Sequence, residues 1–100
     1  MRDGNYSLRY ISKFEEDLSE IVDYITFKLH NPVSAINLVK KIENAIVERL
    51  ASPLAFQQFP SNRKRKNPYY RIYVGNFTVY YVVIRDVMEV RRVLYNGRNV

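Results

Sequence analysis

The dipeptide Gly75-Asn76 constrains this chain more than any other pair of residues. It separates two runs of aromatic and β-branched residues, Tyr69 to Val74 and Phe77 to Ile84. Such side chains fit a pleated, half-buried surface, and a two-residue connection of this kind signals a β-hairpin. The short loop also dictates register. Val74 faces Phe77, Ile72 faces Val79 and Tyr70 faces Tyr81. That set is apolar and requires a core. The alternate set, Tyr69, Arg71, Tyr73, Thr78 and Tyr80, lies on the opposite face, where nothing left in the chain would cover it. This cationic, aromatic face reads as a binding surface.

A third strand, Val87 to Tyr95, follows the weaker turn signal Arg85-Asp86. Its alternation is imperfect. Met88, Val90 and Leu94 share a side with Arg92, while Val87, Glu89, Arg91, Val93 and Tyr95 share the other. Either Arg92 is paired beneath the sheet or a bulge changes the register.

Upstream, Asn5 to Ile11 alternates as a short strand. Ser12-Lys13-Phe14-Glu15 matches a capping box, in which serine and glutamate each satisfy a free backbone N–H. Phe14, Leu18, Ile21, Val22, Ile25 and Leu29 then form one helical stripe. Glu15, Glu16, Asp17, Glu20 and Asp23 read as its solvated face. Asn31-Pro32 restarts the chain, because asparagine caps well and proline suits the first helical position. A second stripe comprises Ala35, Leu38, Val39, Ile42, Ala45, Ile46 and Leu50, with Pro53 just beyond it. The short turn makes the helices an antiparallel hairpin, and neither is apolar all round, so both need a sheet to cover. The expected fold is α+β in the order β-α-α-β-β-β. A helical hairpin packs on one face of a small twisted antiparallel sheet, forming a single domain over residues 1–100.

Composition adds the class of partner. At 47% hydrophobic residues, 100 residues support one modest core. The absence of cysteine excludes a disulfide framework and a thiolate metal site, and fits a reducing cytoplasm. No apolar run approaches membrane-span length, and no apolar segment follows Met1-Arg2-Asp3-Gly4, so a cytoplasmic protein is expected. The net charge is +6 and is clustered. Arg63-Lys64-Arg65-Lys66 lies within a proline-bounded loop over residues 52–68, and Arg71, Arg91, Arg92 and Arg98 follow. Such clustering favours polyanions: nucleic acid, a ribosome surface or an acidic protein. No phosphate-loop or metal-ligand motif is present, and no cofactor is expected.

The ordered succession of motifs resembles the RelE/ParE toxin superfamily, especially its ParE-like branch. The likeness runs through Tyr10-Ile11-Ser12, Glu16-Asp17-Leu18, Asn31-Pro32, Tyr70-Arg71-Ile72, Val74-Gly75-Asn76-Phe77 and Tyr80-Tyr81. It is strongest at the end, Arg92-Val93-Leu94-Tyr95-Asn96-Gly97-Arg98-Asn99. The resemblance implies a growth-inhibiting toxin of a type II toxin–antitoxin system, with two helices against a twisted sheet. It also implies a cognate acidic antitoxin, and assembly as a homodimer or a toxin–antitoxin heterotetramer.

Two activities follow from that resemblance. RelE-like toxins cut mRNA on the ribosome, whereas ParE-like toxins are associated with poisoning DNA gyrase without nuclease chemistry. Cleavage by 2′-hydroxyl attack needs a base, cations on the developing phosphate charge and an acid for the leaving oxygen. Arginine suits the phosphate role. Arg71 and Arg98 align with basic positions of the nucleases, and Tyr95 with a terminal His/Tyr position that serves as proton donor or stacking platform. These three are the candidate catalytic residues. Arg63, Lys64, Arg65, Lys66 and Arg91 are the candidate nucleic-acid contacts. Ribosome-dependent mRNA cleavage, without a metal, is the leading expectation, with gyrase inhibition or a decayed, antitoxin-binding toxin as alternatives. Tyr73 and Thr78 occupy places where the nuclease pattern is basic. His30, the only histidine, is expected at the helix–helix turn, away from the sheet residues.

Overall fold

The computed structural model describes residues 5–60 and 66–96. Strand β1 (Ser7–Tyr10) leads into helix α1 (Ser12–Asp23), whose last turn continues as a π-helical segment, Tyr24–Lys28. Helix α2 (Pro32–Arg49) follows, then strands β2 (Tyr70–Val74), β3 (Phe77–Ile84) and β4 (Val87–Tyr95). The sheet order is β1-β4-β3-β2. The last three strands form the expected antiparallel meander. β1, however, runs parallel to β4, with Leu8 opposite Met88 and Tyr10 opposite Val90. The sheet is therefore mixed, because the helical hairpin carries the chain back across the sheet between its first strand and the meander.

The first hairpin keeps the register dictated by its loop: Val74 opposite Phe77, Ile72 opposite Val79, Tyr70 opposite Tyr81. Gly75 takes the left-handed φ of +59° that the turn requires. The apolar set packs on Phe14, Ile42 and Ile46 of the helices, together with Met88, Val90 and Val93 of β4. Ile42, Ile46, Val79 and Tyr81 are wholly buried. Burial of each of the three aliphatic side chains among them contributes about 1.5–3 kcal/mol. Tyr70 and Tyr81 stack across the strands at 5.3 Å, and Tyr10 stacks on Phe14 at 5.2 Å.

The helix ends differ from expectation at one of two places. The residue capping α1 is Ile11, which makes no side-chain cap bond, so the Ser12/Glu15 capping box is not formed. The β1 strand runs to Tyr10, and Ile11 donates its N–H to Val90 as the last rung, which places Ser12 already inside the helix. At α2 the expectation holds. Asn31 is the N-cap, its Oδ1 accepts the Ser34 N–H at 3.1 Å, and Pro32 fills the first position. Asn31→Ala is expected to lower stability by about 1 kcal/mol. A melting-temperature drop of roughly 4–8 °C in thermal unfolding would register it.

Between the helices, Leu29 donates to the Tyr24 carbonyl, a bond of π type, and Asn31 donates to Ile25. His30 reverses the chain with φ +53°. Leu29, the last residue of the expected apolar stripe, is 54% exposed.

Candidate functional site

The face of the sheet opposite the helices carries Arg71 and Tyr73 of β2, and Tyr80 of β3 opposite Arg71. It is not wholly bare, as the sequence had suggested. The loop after α2 returns beside β2, where Gln58 bridges Tyr70 and the Phe59 N–H donates to the Tyr69 carbonyl at 2.6 Å. That rung places the Phe59 ring beneath the Arg71 guanidinium, 4.7 Å from its centroid, and edge-on to Tyr80 at 5.8 Å. The Tyr73 ring flanks Arg71 at 5.6 Å and is 62% exposed. Thr78, expected on this face as an open position, is buried. None of the ion pairs among the described residues involves Arg71.

The neighbouring charges are engaged with one another. Glu89, on β4, accepts from Arg9 Nε at 3.0 Å and from Arg91 Nε at 2.8 Å. Arg91 also donates to the Tyr69 hydroxyl at 3.3 Å. Burial alone would raise the Glu89 pKa. The hydrogen bonds and charges of Arg91 and Arg9 outweigh it and hold the carboxyl below its ordinary range. An ionised carboxylate shared by two guanidinium groups is a poor proton acceptor.

Of the two alternatives raised for Arg92, the bulge is the one realised, and it turns Arg92 to the side of Tyr80. Between Tyr80 and Tyr81 the register slips so that Arg92 faces Tyr80 while Val90 faces Tyr81, making Arg91 the extra residue of a bulge. Val93 thereby rejoins the core side. Arg92 then grips Asp17 of α1 bidentately, Nε to Oδ2 at 2.7 Å and Nη2 to Oδ1 at 3.1 Å. The same carboxylate accepts the Val93 N–H at 3.2 Å. Asp17 therefore does not belong to the solvated face assigned to it; it is 7% exposed. Its hydrogen bond to Asp17 comes first among the influences raising the Arg92 pKa, with burial opposing. Asp17 lies three residues from Phe14, on the buried stripe of α1, and that spacing was the available signal for it.

A second hub was also missed. Arg49, at the end of α2, donates through Nη1 to the Tyr81 hydroxyl at 2.9 Å and to the Arg71 carbonyl at 3.0 Å. Its guanidinium lies 3.5 Å over the Phe56 ring. The Tyr81 hydroxyl in turn donates to the Pro53 carbonyl at 2.7 Å. Burial raises the Tyr81 pKa, partly offset by Arg49. Nothing in the sequence beyond the position of Arg49 between Ile46 and Leu50 marked this network.

The candidate catalytic trio is not gathered in one place among the described residues. Tyr95 pairs with Phe77 and shares the helix side of the sheet with Val93, whereas Arg71 is on the other side. The Tyr95 ring packs on Phe77 at 5.4 Å and lines a groove of about 580 Å³ with Ile21, Tyr24, Ile25 and Leu29. Arg98 lies outside the described residues, as do Arg63, Lys64 and Arg65; Lys66 is exposed at the edge of the described chain. Arg91 is on the open face with Glu89. His30 is exposed at the helical turn. Among the described residues no cluster of His, Cys, Asp or Glu side chains could hold a metal ion, and no helix is long and apolar enough to cross a membrane.

The same fold occurs in solved structures of toxin–antitoxin systems. The structure of the chromosomal ParDE system from P. aeruginosa matches at TM-score 0.71 with 20% identity, covering 92% of this chain and 97% of that one. The archaeal RelE–RelB complex from Pyrococcus horikoshii OT3 matches at TM-score 0.55 with 13% identity, covering 95% and 99%. The E. coli DinJ–YafQ complex matches at 0.54 with 13% identity, covering 93% and 94%. No curated protein matches in sequence. The sequence model of the ParE toxin of type II toxin–antitoxin systems, parDE, matches residues 8–100, and the chain belongs to that family. By that match it is a toxin of such a system.

Proposed function

We propose that this toxin arrests growth by binding a macromolecular target, not by cutting RNA, with DNA gyrase as the target that its ParE-like character implies. The observation that carries this reading is the separation of Arg71 from Tyr95 on opposite faces of the sheet. A phosphate-binding cation and a proton donor must meet within hydrogen-bond reach of one scissile group, and no strand motion short of refolding brings the two faces together. The carboxylate nearest the open face supports the same reading, since Glu89 is already neutralised by Arg9 and Arg91. The net charge of +6 suits an acidic antitoxin, and action on gyrase places the protein in the cytoplasm.

A second reading, mRNA cleavage at the ribosome, is favoured by the position of Arg71, half-buried beside exposed Tyr73 on the face away from the helices. Induced expression without antitoxin separates the two. The expected result is intact mRNA, falling DNA synthesis, a DNA-damage response and trapped gyrase complexes. New 5′ ends within translated codons, with early loss of translation, would replace the proposal with the nuclease reading.

A further inference from the structure

We infer that the loop over residues 53–59 guards a latent interface, the outer edge of β2, which pairs with β2 of a second copy of this chain once the loop is released. The inference goes beyond the target-binding reading and does not depend on it. The backbone groups at that edge carry the case. The two-residue turn makes Val74 and Phe77 a hydrogen-bonded pair, so Ile72 and Tyr70 also turn their N–H and C=O groups toward β3. Tyr69, Arg71 and Tyr73 then aim theirs outward. The chain itself occupies two of those carbonyls. The Phe59 N–H donates to Tyr69 at 2.6 Å, and Arg49 Nη1 donates to Arg71 at 3.0 Å. Gln58 lies opposite Tyr70 between them. The loop has turned away before Tyr73, and among the described residues nothing pairs with the Tyr73 backbone on that side.

The guarded strand, Tyr-Arg-Ile-Tyr-Val, is aromatic and β-branched with a single charge, the kind of segment that pairs with its own kind when its edge is bare. Pro60, next to Phe59, has no N–H to extend the guard into a strand of its own. Symmetry names the occupant. Two β2 strands running antiparallel across a twofold axis at Ile72 set each Arg71 opposite Tyr73 of the other copy. Both residues present their backbone groups outward, and each guanidinium meets a ring in place of a like charge. This pairing needs the Arg71 carbonyl, which Arg49 holds. It also puts Gly75 of the second copy opposite Tyr69, where Phe59 sits. The fasteners are surface contacts. Phe59 packs on Arg71 and Tyr80, Phe56 lies under Arg49, and the two rings are 37% and 49% exposed. The loop therefore opens without unfolding the core.

The test is sedimentation velocity of the full-length protein over a concentration series, at moderate salt to screen the +6 charge of each copy. The wild type is expected to stay monomeric. Phe59→Ser, which removes a ring outside the core, should shift the protein to a dimer. Arg49→Gln, which releases the Arg71 carbonyl, should do so independently. Circular dichroism checks that each is folded. Adding Tyr73→Pro to either should restore the monomer, because its nitrogen faces outward and proline there spoils the edge without removing a bond to β3. In the dimer the Tyr73 amide should exchange about tenfold more slowly than in the wild type. A Phe59→Ser protein that is folded and monomeric at every concentration, or a dimer indifferent to Tyr73→Pro, would overturn the inference. So would a wild-type dimer that Tyr73→Pro dissolves, since the edge would then be open with the loop closed.

Discussion

Asp17→Ala is expected to destabilise the protein by about 3 kcal/mol. The reason is that one carboxylate serves three donors. It takes two bonds from the Arg92 guanidinium and one from the Val93 N–H. β1 stops at Tyr10, opposite Val90, so the edge of β4 beyond it has no strand neighbour on that side. Asp17 stands in for the missing strand. Removing it leaves a buried N–H unsatisfied, at about 1–3 kcal/mol, and deprives a guanidinium of its counter-charge. Losing one partner of a fully buried pair costs about 3–5 kcal/mol. Here the Arg92 side chain is 37% exposed and can rehydrate, which reduces that contribution. Thermal unfolding should show a drop of roughly 15 °C, given about 4–8 °C per kcal/mol for a domain of this size. Asp17→Asn keeps an oxygen for Val93 and loses the charge, so it should fall between the two. If Asp17→Ala melts like wild type, water satisfies both donors and the carboxylate holds nothing.

Tyr81→Phe is expected to cost about 2 kcal/mol although it removes one atom from a wholly buried ring. The core is preserved, because phenylalanine fills the same volume and still stacks on Tyr70. What is lost is the hydroxyl that joins Arg49 to Pro53, a bond to a charged group worth about 1.5–3 kcal/mol. The consequence extends to the open face. Pro53 begins the loop that returns through Phe59 to Tyr69, and Phe59 is the ring beneath Arg71. Urea unfolding should show a lower midpoint at unchanged slope, because the surface buried in the core is the same. Hydrogen exchange should report faster opening of residues 53–59 than of β3. An unchanged urea midpoint would mean that Arg49 and Pro53 find other partners at no cost.

Both variants probe distant contacts that the sequence did not show, whereas local structure was legible in it. Pairing within the β2–β3 hairpin followed from one dipeptide, because a two-residue loop has no slack. The stripe of α2 and its Asn31-Pro32 start were equally local. So was the turn at His30, although its π-helical approach was not, since a bond from Leu29 to Tyr24 differs from an α-helical one by a single residue of spacing. The family resemblance was carried by motifs in order along the chain, and the family match spans the same stretch.

What the amino-acid order determined by itself was each element, its apolar face and the closest strand pairing, since these depend on neighbours a few residues away. Only the tertiary structure decided which side of β4 its last residues occupy. One extra residue at Arg91 moved Val93 and Tyr95 to the helix side and so parted Tyr95 from Arg71. Likewise the roles of Asp17 and Arg49 came from partners 75 and 32 residues distant. A side chain's charge is written in the sequence; whether that charge is solvated, paired or free depends on which distant groups the fold brings within 3 Å of it.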